Sequence, residues 1–142
     1  MDKGGMPAFI IAEGEWALTN YFYALAAIIS AIWFAVHVFI GGREIAQPLR
    51  QSIELDPLVR DVQYLCWHFT TVSIAAISLF FVLAFFLEQQ PYAVAGTIMA
   101  AGFTLTGIGL VAAIRQSHRK APQGWLFAPI TLLGLWGLLM GG

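Results

Sequence analysis

Charged residues along the chain are confined to short intervals that separate four long apolar runs: Leu18 to Ile40, Val62 to Leu87, Tyr92 to Ile114 and Trp125 to Met140. At about 1.5 Å of rise per residue, about twenty apolar residues cross a hydrocarbon core about 30 Å thick. Each of the first three runs therefore predicts a membrane-crossing helix. The fourth is short, at about sixteen residues. It holds Pro129 and several glycines, which suits packing against neighbouring helices better than exposure to lipid. The pattern predicts an all-α integral membrane bundle of four transmembrane helices, with residues 1–142 as a single domain.

Local signals set the helix ends. Asp56 before Pro57 reads as an N-cap with proline at the first helical position, where a missing N–H costs nothing. The first helix is expected to continue past Gly42 through Arg43–Ala46 until Pro48 stops it. Spans 1 and 2 then form a helical hairpin that projects beyond the hydrocarbon. Ahead of the first run, "MPAFIIAEGEWALTN" carries Glu13 and Glu15, too acidic for the basic start of a cleaved signal peptide. It predicts a short interfacial N-terminal segment or a re-entry into the headgroups.

Composition agrees with this picture. Hydrophobic residues make up 59% of the chain and charged residues 11%, more apolar surface than a soluble fold could cover. Six of the seven basic residues, Arg43, Arg50, Arg60, Arg115, Arg119 and Lys120, fall in the two connections that share one side, against Lys3 on the other. The positive-inside rule places those connections in the cytoplasm and both termini outside it, as in a bacterial inner membrane. Tyr21, Tyr23, Tyr92 and Trp125 near the span ends fit an aromatic belt. A single cysteine, Cys66, excludes an intrachain disulfide. With no basic tail and no glycine-rich nucleotide motif, the expected surroundings are the lipid bilayer and other membrane subunits or a homo-oligomer, not nucleic acid.

Folding the chain back about Ser52 brings His37 and His68 to nearly the same depth. The same register sets Arg43 and Glu44 level with Arg60 and Asp61, which offers two crossed ion pairs. Ser30, Trp33, His37, Gly41 and Glu44 follow one another at steps of three or four and share a helix face; Asp61, Tyr64, His68 and Thr71 do the same on the next helix. Gly41 removes side-chain bulk beside His37, permitting close helix contact or access for something flat. His118, in the second connection, lies on the same side as the other two histidines. In "CWH", Cys66 and His68 project about 200° apart, so Cys66 reads as a small buried apolar residue rather than a thiolate ligand.

Two imidazoles on facing stripes, with carboxylates nearby, resemble the inward-facing ligand sets of helical bundles. The candidate cofactor-binding residues are His37, His68, Trp33, Gly41 and Tyr64; the candidate metal ligands are His37, His68, Glu44 and Asp61. Neutral imidazole suits a haem iron or a first-row transition metal ion, although a haem ligated from both helices of a tight hairpin needs backbones further apart. Trp33 and Trp67 are large enough to sandwich a planar ligand. The bland alternative is a pair of neutral histidines hydrogen-bonded to neighbouring helices. At the level of function these readings give a small redox or metal-dependent protein, related to a lipid or quinone-like molecule and with or without catalysis. The alternative is an accessory or structural subunit of a larger membrane complex, docked through its glycine-rich third and fourth helices. A transporter is less well served, because the span centres carry no charge.

Overall fold

A computed structural model describes residues 8–141, with side chains from residue 19 onward. Every element within that range is helical: α1 (Ala8–Ala35), a π-helical segment (Val36–Ala46), α2 (Gln47–Gln51), α3 (Pro57–Leu87), α4 (Gln90–Ala113) and α5 (Gln123–Met140). α1, the π-helical segment and α2 run on without a break as one first membrane helix. Four helices are long and apolar enough to cross a membrane: Thr19–Gln51, Pro57–Leu87, Gln90–Ala113 and Gln123–Met140. They close into a ring in which the first helix touches α3 and α5, and α4 touches the same two.

The N-terminal stretch departs from expectation. From Ala8 onward it is continuous with the first span rather than a separate interfacial helix; residues 1–7 lie outside the described residues. The far end departs too, because the helix runs through Pro48 to Gln51. Pro48 sits in the first turn of α2, immediately after the π-helical segment. The N–H of Gln47 still reaches five residues back to the Gly42 carbonyl. Pro48 has no N–H with which to continue that pattern, so ordinary α-helix resumes there.

The other ends follow local chemistry. The Asp56 carboxylate accepts from the N–H groups of Leu58 at 2.9 Å and Val59 at 3.4 Å, capping α3. Glu88 closes α3 in the left-handed conformation at φ 52°, and Pro91 stands in the first turn of α4. α3 is seven residues longer than α4, 31 against 24. Antiparallel pairing therefore carries the start of α3 about 10 Å past the end of α4.

The core centres on Phe81, wholly buried among Ile77, Ile130, Tyr23 and a set of alanines. Small residues make the close packing possible. A Cβ on Gly96 would stand 3.1 Å from the Phe81 ring, one on Gly134 would collide with the Thr97 hydroxyl, and Gly107 and Gly124 meet backbone to backbone. Tyr23 is thus a core residue rather than part of an aromatic belt: it packs inward on Phe81 and its ring edge touches Gly137. Buried hydroxyls return to their own helix, Ser30 to the Ala26 carbonyl at 2.8 Å and Thr97 to that of Ala93 at 2.7 Å. Others cross between helices, among them Ser78 to the Ala27 carbonyl at 3.4 Å and Thr104 with Thr131 at 3.0 Å.

Candidate ligand-binding clefts

The π-helical segment covers eleven residues, Val36–Ala46. Its hydrogen bonds close five residues apart instead of four, which widens each turn and lengthens the face repeat from three-or-four toward four. Two faces result. Phe34, Val38, Gly42, Ala46 and Arg50 line one cleft, whereas Trp33, His37, Gly41 and Glu44 line another. Widened π-turns recur at functional sites because they re-aim side chains that α-helix would direct elsewhere.

Trp67 of α3 stands between the two faces. The His37 imidazole stacks on its indole, with centroids 3.9 Å apart and planes at 13°. The tip of the indole fills the space above Gly41, where a Cβ would come within 2.7 Å of Cη2. The Thr71 hydroxyl donates to the Trp67 carbonyl at 3.0 Å. With that proton kept on the Trp67 carbonyl, the 3.0 Å contact between His37 Nε2 and Thr71 Oγ1 is donated by His37. A neutral His37 then carries its lone pair on Nδ1.

The first cleft, of about 720 Å³, lies between the first membrane helix and α3 and is completed by Tyr64, Trp67, His68 and Thr71. The guanidinium of Arg50 sits 5.3 Å above the Tyr64 ring, and the Tyr64 and His68 rings meet edge to face at 4.6 Å. The second cleft, of about 480 Å³, is closed on its third side by Gln123, Leu126 and Phe127 of α5. Both volumes fall within the range of small-molecule sites.

The candidate residues are therefore divided. His37, Trp33, Gly41 and Glu44 belong to the second cleft, His68 and Tyr64 to the first, and Asp61 to neither. His37 is partly buried, His68 is exposed, and the two rings do not share a cleft. Asp61 pairs with its neighbour Arg60 at 3.0 Å. The two crossed pairs expected from Arg43 and Glu44 do not form among the described residues, because Arg60 and Asp61 engage each other. Cys66 is exposed rather than buried. His118 presents its ring edge-on to Trp125 at 6.1 Å, away from both clefts. Among the described residues, no three His, Cys, Asp or Glu side chains come together in a way that could hold a metal ion.

Sequence reasoning underweights Trp67, Thr71 and Arg50. Trp67 was legible as one of two indoles able to sandwich a planar ligand but not as the wall between two clefts, and Arg50 only as a loop cation. Comparison with protein-family models, with curated proteins and with solved structures finds no match.

Proposed function

We propose that this multi-pass protein binds an amphiphilic small molecule in the first cleft: a hydrocarbon tail with a head rich in hydrogen-bond acceptors, as a quinone or an acidic lipid offers. The observation that carries this reading is the gradient along one lining face. Phe34 and Val38 are apolar at membrane depth, Gly42 and Ala46 leave room, and Arg50 presents a cation where the helix passes beyond α4 and α5. Tyr64 and His68 add polar atoms beside that cation, while the Trp67 indole offers a flat wall. Following the distribution of basic residues, the cleft opens on the cytoplasmic side.

Several glycines that a subunit-interface reading relies on are occupied inside the chain, against Phe81, Thr97, Tyr23 and each other. That favours ligand binding over a purely structural role. A histidine-ligated haem is the second reading, supported by His68: its exposed imidazole lines a cleft wide enough for a flat ring, with Arg50 at the mouth to meet carboxylates. A shared His37–His68 metal centre has less support, since each cleft offers one imidazole.

The test uses protein in phosphatidylcholine nanodiscs, titrated with a short-chain quinone and, separately, with phosphatidic acid, while tryptophan fluorescence and visible absorption are followed. Saturable quenching by either probe, weakened about tenfold in Arg50→Gln, supports the proposal. No saturable response to either, with Arg50→Gln indistinguishable from the parent, overturns it. A Soret band that disappears in His68→Ala selects the haem reading instead.

A further inference from the structure

The second cleft differs from the first in its hydrogen-bonding character. The first gathers donors around Arg50. In the second, the charged group able to meet a guest is an acceptor, the Glu44 carboxylate exposed at its mouth, joined by the Nδ1 lone pair that His37 keeps when Nε2–H is donated to Thr71. The Thr70 hydroxyl is spent on the Cys66 carbonyl at 3.0 Å, and the Trp33 indole N–H is buried out of reach. Gln123 can serve either role. Arg43, Arg119 and Lys120, the nearby cations of the π-helical segment and the second connection, do not line this cleft. Its remaining walls are apolar, with Ile40, Ile74, Leu126 and Phe127 disposed around the Trp67 indole.

We propose that this cleft is a separate site for a cationic amphiphile, one whose protonated amine is met by Glu44 and His37 Nδ1 while its hydrocarbon chain lies along Leu126 and Phe127. Charge complementarity selects the occupant. A neutral tail gains only burial there, an acidic head meets a carboxylate, and an ammonium satisfies both acceptors with its own donors. His37 and Glu44, seven residues apart on the first helix, line this same cleft. The site stands independently of the first cleft, from which the Trp67–His37 stack divides it.

The experiment is photolabelling in phosphatidylcholine nanodiscs with a long-chain alkylamine bearing a diazirine on its tail, the labelled residues being mapped by mass spectrometry. Labelling is expected on the segments around residues 33–45 and 122–127, suppressed by dodecylamine and not by dodecanol. Glu44→Gln is expected to weaken labelling about fivefold and Arg50→Gln to leave it unchanged. His37→Phe, which keeps a ring on Trp67 but removes Nδ1, is expected to weaken it as well, with circular dichroism and gel filtration confirming that each variant is folded. Equal competition by the alcohol, or labelling indifferent to both Glu44→Gln and His37→Phe, overturns the proposal.

Discussion

The His37 imidazole lies flat against the Trp67 indole at 3.9 Å, and the same indole covers Gly41, one turn further along. One side chain of α3 is thus held by two positions of the first helix and separates the two clefts. Trp67 is only partly buried, yet it touches more of the proposed chemistry than any histidine does.

Gly41 and Gly42 are neighbours with opposite surroundings, which gives a paired prediction. A Cβ at Gly41 would stand 2.7 Å from the indole, whereas at Gly42 it meets nothing within 4 Å. Gly41→Ala is expected to displace Trp67 and cost about 1–3 kcal/mol. Gly42→Ala is expected to be neutral or to stabilise by up to about 1 kcal/mol through helix propensity. Thermal unfolding in detergent distinguishes them.

Trp67→Ala is expected to merge the two clefts and to lower stability by about 2–3 kcal/mol, below the range for a fully buried aromatic because the indole is partly exposed. Trp67→Phe should recover most of that loss. Unfolding curves in mild detergent, read together with quinone quenching, check both statements.

Thr71→Val removes the acceptor of the His37 proton while keeping the side-chain shape. The orphaned N–H is expected to cost about 1–3 kcal/mol, and Thr71→Ser should restore the parent value. Nitrogen NMR of labelled histidine in nanodiscs should show the proton of neutral His37 on Nε2 in the parent. A proton on Nδ1 would contradict the assigned direction of the bond.

On the far side of the bundle, Gly107 and Gly124 approach so closely that a Cβ on Gly124 would stand 2.5 Å from the Ile108 nitrogen. Backbone cannot yield as a flexible side chain does. Gly124→Ala is expected to separate α4 from α5 and cost about 3 kcal/mol. Gly102→Ala and Gly109→Ala, at positions open on α4, should leave the unfolding midpoint within about 0.5 kcal/mol of the parent.

Hydropathy and capping chemistry were enough to read the four helices and most of their ends. Asp56–Pro57 marked the start of α3 because a carboxylate cap and a proline act locally. The first helix could not be read as well. Pro48 signals a stop under α-helical bonding, but the helix reaches it already wound five residues apart, and no local composition rule announces an eleven-residue π-helical segment. The division of the site was hidden for another reason. Depth along the axis could be estimated for His37 and His68 from residue spacing, but rotation about the axis could not, and rotation decides which cleft a side chain lines. Tyr23 and Cys66 were misjudged for a related reason. In lipid both the core and the outer surface are apolar, so residue type does not reveal which way a side chain faces.

The backbone contact of Gly107 with Gly124 has a mechanical consequence. It rivets α4 to α5 at the end of the bundle where the clefts open, while across from them the first helix keeps eleven residues in a loosely wound coil. For a guest of the proposed kind, any widening is expected on the coiled side, where slippage by one residue would turn and shorten the strut without breaking it. On that expectation the bundle would work like a vice with one fixed jaw, its screw the stretch from Val36 to Ala46.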